Sequence, residues 1–150
     1  MTDWHIAQLN IATARYHRDD QRMRPFFDQI EEVNELADNS DGFIWRLQTE
    51  SGNATDIQVG DDPFLIVNMS VWETSDALFN FAYKSAHRKV FADRRDWFVR
   101  PEGVYQVLWW LPAGQQPSVD EGMAKLELLR VSDPAPAAFT FKSQFPPPGT

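Results

Sequence analysis

Leu65-Ile66-Val67-Asn68-Met69-Ser70-Val71-Trp72 is the stretch on which the fold turns. Successive side chains of a strand point to opposite faces. The segment therefore splits into a wholly apolar row, Leu65, Val67, Met69 and Val71, and a mixed row, Ile66, Asn68, Ser70 and Trp72. Three other segments divide in the same way. Trp4 to Ile11 gives Ala7, Leu9 and Ile11 against Trp4, Ile6, Gln8 and Asn10. Phe43 to Gln48 gives Phe43, Trp45 and Leu47 against Ile44, Arg46 and Gln48. Tyr105 to Leu111 gives Tyr105, Val107, Trp109 and Leu111 against Gln106, Leu108 and Trp110. Four strands are expected, each with one oily and one mixed row.

Helical periods fill the gaps. Phe26, Ile30, Val33 and Ala37 recur at four, three and four residues behind Pro25, with Asp19 and Asp20 placed to cap the start and Asn39-Ser40-Asp41-Gly42 to end it. Thr74 or Ser75 caps a second helix through Ala77, Leu78, Phe81 and Ala82, and a further helical stretch from about Ser85 runs to Phe98 before Pro101 and Gly103. Pro117-Ser118 opens a last helix with Val119, Met123, Leu126 and Leu129 in register. The polar run from Thr49 to Asp62 reads as a long hairpin loop. The order is β-α-β-β-α-β plus a helix, a ferredoxin-like α+β pattern with a four-stranded antiparallel sheet. One domain is expected over 1–131, followed by a Pro-rich tail over 132–150 in which Ala138-Phe139-Thr140-Phe141 runs as an extended arm or stays disordered.

Composition narrows the function classes. The chain has 150 residues, eleven Phe, six Trp, three Tyr, no Cys and a net charge of −8. An acidic surface disfavours nucleic acid and anionic lipid. Lack of cysteine removes disulfides, thiolate metal sites and a Cys nucleophile. Neither a signal peptide nor an apolar run of membrane-spanning length is visible, so a cytoplasmic location is expected. No metal-ligand spacing, phosphate-cradling loop, nucleophile elbow or dinucleotide fingerprint occurs.

The oily rows are expected under the helices and the mixed rows on an open face. A face carrying Trp4, Trp72 and Trp110 beside Arg46, Asn68 and Gln106 is too apolar to stand bare, so it is expected to close on a second copy and enclose a cavity. The bland reading makes these ordinary solvent-facing residues among scattered tryptophans.

Trp4-His5-Ile6-Ala7-Gln8-Leu9-Asn10, Gly42-Phe43-Ile44-Trp45-Arg46-Leu47, Asn68-Met69-Ser70-Val71-Trp72-Glu73, Ser85-Ala86-His87 and Val107-Leu108-Trp109-Trp110 carry a resemblance. From Trp4 to about Phe145 the chain resembles an uncharacterised bacterial domain-of-unknown-function family, itself similar to the antibiotic-biosynthesis-monooxygenase group of dimeric α+β barrels. The resemblance implies a homodimer and a monooxygenase-like enzyme that binds a hydrophobic, aromatic substrate without a cofactor. It also implies that groups such as Arg46, Asn68 and Gln106 stabilise an enolate or oxyanion. Relatives of that superfamily include haem enzymes and non-catalytic binding proteins, so a haem protein and a purely structural dimer stay open.

Among the candidates for chemistry, His87 sits at a helix start after Ser85, and it suits a general base, a hydrogen-bond donor or a haem axial ligand, or simply a satisfied structural histidine. Arg46 and Asn68 complete the expected catalytic set. The substrate-binding set is Trp4, Gln8, Trp72, Tyr83, Phe91, Arg94, Gln106 and Trp110. Six of the fourteen cations fall between Lys84 and Arg100, either an anion-receiving rim or a solvated helix face. Arg46, Asn68 and Gln106 are equally read as a polar network within the protein.

Overall fold

A computed structural model describes residues 3–48, 62–84 and 96–149. Strand β1 (Trp4–Thr13) is followed by helix α1 (Arg24–Asp38), strands β2 (Phe43–Arg46) and β3 (Leu65–Trp72), helix α2 (Ser75–Phe79) with a π-helical turn to Lys84, strand β4 (Gln106–Pro112) and helix α3 (Val119–Val131). The strands form one antiparallel sheet in the order β2-β3-β1-β4, so the first strand to be made lies inside it. This is the ferredoxin-like α+β arrangement that the order of elements implies. The 49–61 and 85–95 segments, which hold the expected hairpin loop and the stretch with His87, Phe91 and Arg94, lie outside the described residues.

Local chemistry sets the boundaries. The Asp20 side chain accepts from the Arg22 amide and opens a short 3-10 turn that leads into α1, and Pro25 fills the first turn where its missing N–H costs nothing. Thr74 caps α2 and Ser118 caps α3, each accepting from an amide three residues on. Gly42 links α1 to β2 at φ +81°, and a Cβ there would lie 2.6 Å from the Ala77 Cβ. Only glycine satisfies both the turn and the approach of α2.

The two rows of the sheet are both covered, and the coverage corrects the expected placement. The oily row (Ala7, Leu9, Val67, Met69, Val71, Val107, Trp109 and Leu111) packs under α3 through Leu126 and Leu129. The mixed row lies under α1 and α2: Ile6, Trp72 and Leu108 pack with Ala37, Leu78 and Phe139. Trp72 is fully buried within a single chain. The mixed face is thus closed around Trp72 by this chain's own helices and tail and open at Asn68. Alternation separates two rows but does not say which helix covers which.

A bulge between Phe43 and Trp45 shifts the register of β2 on β3. Phe43 therefore crosses to the mixed face, where its ring meets Trp72, while Trp45 and Leu47 stay with the oily row. The expected grouping of Phe43 with Trp45 and Leu47 is corrected by that one residue.

The tail runs along its own sheet. Phe139 and Leu108 exchange both backbone hydrogen bonds, at 2.8 and 2.9 Å, and cover the outer edge of β4. Phe139 is fully buried, and Phe141 and Phe145 pack against the same cluster. A third cluster, Ala14, Met23, Phe26 and Trp97, closes the far end of β1.

Candidate functional site

The mixed face carries a graded pattern that follows from strand register. Asn10 lies between Asn68 and Gln106, Gln8 between Ser70 and Leu108, and Ile6 between Trp72 and Trp110. On the outer side of β3, Arg46 stands beside Ser70 and Phe43 beside Trp72. Amides thus occupy one end of the face and aromatic rings the other.

The amides are joined in one direction. Asn10 donates to Gln8 Oε1 at 3.0 Å, and Gln8 Nε2 donates to Asn68 Oδ1 at 2.8 Å and to Ser70 Oγ at 3.0 Å. Gln8 is nearly inaccessible, so its amide has to be satisfied internally, and it is. Accepting with its oxygen leaves Asn68 with its N–H2 as the end of the relay. That group is exposed and has no partner among the described residues. Ser70 also accepts from the Trp72 indole at 2.9 Å. The Phe81 ring stacks on Trp72 with centroids 5.0 Å apart.

Of the expected catalytic residues, Asn68 is on this row, and His87 is outside the described residues. Arg46 is on the correct face, but its guanidinium is turned to Asp38, with Nε to Oδ1 at 2.8 Å and a second contact at 3.3 Å. This pair ties β2 to the end of α1.

Among the binding candidates, Gln8, Gln106 and Trp72 join Asn68 on the face. Trp110 is half-buried, with its indole donating to the Phe145 carbonyl at 2.9 Å. Trp4 lies beyond it at the sheet's end. Tyr83 stands apart in a ring cluster with Phe79 and Phe141, centroids 4.8 and 5.3 Å away. Burial, and secondarily Tyr105, pushes its phenol up from the ordinary range. Phe91 and Arg94 are outside the described residues, as is most of the basic run.

Two residues on the face were not expected to matter. Ser70 is the acceptor shared by Gln8 and Trp72, and its position between Asn68 and Trp72 on the alternating row is the sequence signal for it. Asn10 anchors the relay, and its pairing opposite Asn68 emerges only from the register of β1 on β3.

Among the described residues no group of three or more His, Cys, Asp or Glu is placed to hold a metal ion, and no helix is long and apolar enough to cross a membrane.

A four-stranded β2-β3-β1-β4 antiparallel sheet, with α1 and α2 on its amide-and-aromatic face and α3 on the other, defines a ferredoxin-like α+β protein. Residues 5–150 match the family described as Domain of unknown function (DUF3291), and the chain belongs to that family. Among solved structures it is similar to a conserved protein from Methanosarcina mazei Go1, at 11% identity and a TM-score of 0.53 over 73% of this chain and 93% of that one. It is also similar to Rv0793 from Mycobacterium tuberculosis, at 14% identity and a TM-score of 0.50 over 76% of this chain and 99% of that one. A third is SnoaB, a cofactor-independent oxygenase from Streptomyces nogalater, at 13% identity and a TM-score of 0.49 over 75% and 95%. At these identities the likeness is one of fold. Among curated proteins none matches the chain.

Proposed function

We propose that the protein is a monooxygenase-like small-molecule enzyme, taking a hydrophobic aromatic compound with an ionisable oxygen onto the mixed face of its sheet. The observation that carries this reading is the one-way relay Asn10 to Gln8 to Asn68, which ends in an exposed N–H2 donor held in place by a buried amide. A fixed donor aimed at an oxyanion stabilises it without reorganisation when the charge forms. Gln106, beside Asn10 on the same row, offers a second amide. Trp72, held by Ser70 and stacked by Phe81, is fully buried and backs the relay from within the core.

These parts belong to one chain, so the reading does not depend on a second copy. The oxygen is bound by amides at the exposed Asn68 end of the face. Dioxygen is the co-reactant: one atom enters as a carbonyl at a ring carbon that is CH2 in the keto form of the phenol, and the other leaves as water with the two displaced hydrogens. The substrate itself supplies all the electrons.

The test is dioxygen uptake and indole fluorescence with a panel of polycyclic phenols, using wild type and Asn68→Ala. Saturable binding with uptake that Asn68→Ala lowers by about a hundredfold or more supports the reading, as loss of one oxyanion donor does elsewhere. Binding with no uptake by any phenol leaves a binding protein and overturns the oxygenase part. Failure of every phenol to bind overturns the whole.

A further inference from the structure

At the other end of the same face, beyond the Ile6, Trp72 and Phe139 packing, lies a groove of about 370 Å³ that the phenol reading does not use. Its walls are Trp4, Trp110, Phe145, Pro146 and Pro147, with Glu73 at the end of β3. Trp4 pairs with Pro112, so Trp110 is its diagonal cross-strand neighbour on the same face. Such neighbours stand about 7–8 Å apart at the backbone, near enough for two large rings to flank one small group. Trp4 makes no ring contact of its own among the described residues, which leaves that space open. The Trp110 indole N–H is taken by the Phe145 carbonyl, so this ring offers the groove its π surface and not a donor.

Charge selects the occupant. Glu73 is the sole formal charge among the described residues lining the groove, and its carboxylate has no ion-pair partner among the described residues. No Lys, Arg or His faces it to receive an anion. Indole faces attract cations through the ring quadrupole, most strongly where water is partly excluded. The net charge of −8 reinforces the same preference at a distance. We infer that this groove is a binding site for a small organic cation, a quaternary or alkylated ammonium group held between Trp4 and Trp110 and paired with Glu73.

Choline and its neutral isostere 3,3-dimethylbutan-1-ol are the probes, followed by the indole N–H signals of the full chain, with Trp4→Phe and Trp110→Phe used to assign the two peaks. The expected result is a saturable millimolar shift of the Trp4 and Trp110 signals by choline, a much weaker one by the alcohol, and about fivefold weaker choline binding in Glu73→Gln, the size of one exposed ion pair. Glu73 is exposed, so Glu73→Gln leaves the fold intact, which its unchanged indole spectrum without ligand verifies. Equal binding of the alcohol, or choline binding that Glu73→Gln does not weaken, overturns the inference, as does the absence of any shift. Because the phenol test reads Asn68 and this one reads Glu73, either reading can fail alone.

Discussion

The Trp72 indole N–H donates to the Ser70 hydroxyl at 2.9 Å, two residues back on the same row of the same strand. Gln8 donates to that oxygen at 3.0 Å. One hydroxyl thus fixes an amide and a ring together, and it joins the polar half of the mixed face to the aromatic half.

Replacing Ser70 by Ala strands two donors on buried side chains. The expected cost is about 1–3 kcal/mol, since an unsatisfied buried group loses its full desolvation energy. Urea unfolding of Ser70→Ala measures it. A variant as stable as wild type shows that neither Gln8 nor Trp72 depends on this hydroxyl.

Phe139 fills the mixed-face core from the tail, so Phe139→Ala is expected to lower stability by about 3–5 kcal/mol. Folded domains hold only about 5–15 kcal/mol in total. Thermal unfolding checks it. A shift no larger than that of a surface substitution would mean that the tail lies on the sheet without supporting it.

Gly122 in α3 faces the oily row, where a Cβ would lie 2.6 Å from Leu9 Cδ1 and 3.1 Å from the Met69 sulfur. Helix propensity alone makes Gly122→Ala stabilising by about 1 kcal/mol. Leu9 and Met69 are fully buried, however, and moving them costs about 1–3 kcal/mol. Net destabilisation is therefore expected in equilibrium unfolding, and a gain in stability would show that α3 moves off the sheet freely.

Asp20 is held down to about 2 from its ordinary 3.8, first by the Arg22 side chain and then by the Arg22 amide. A carboxylate depressed on folding stabilises the fold above its unfolded value and loses that contribution as the pH falls through its folded one. The stability difference between wild type and Asp20→Asn is expected to hold at neutral pH and to narrow as the pH drops from 3.8 toward about 2. Unfolding curves at several pH values test this. A difference that stays constant across the window contradicts it.

Strand alternation made both rows of the sheet readable, because a period of two survives any later packing. Caps at Asp20, Thr74 and Ser118 were equally local and equally visible. Three features were not. Phe43 changed face because a bulge adds one residue to a strand without leaving a mark in composition. Arg46 was placed on the right face, but its partner Asp38 sits eight residues back at the end of a helix, a contact that only the turn at Gly42 creates. Phe139 looked like part of a loose arm because its partner Leu108 is 31 positions away. Asn68, Gln8 and Gln106 stand out in the sequence because they interrupt apolar strands, whereas Ser70 is small enough to pass as filler until its two donors are seen.

The placement of β1 between β3 and β4 also sets a timetable. On the ribosome the first strand waits, with both edges unpaired, until β3 can flank it, and its second edge stays open until residues 106–112 emerge. The Phe139 bridge on the outer edge of β4 comes later still. Sheet closure is therefore a late, long-range event, slow for a chain of this size, and the half-synthesised protein presents an apolar strand to the chaperones that meet it.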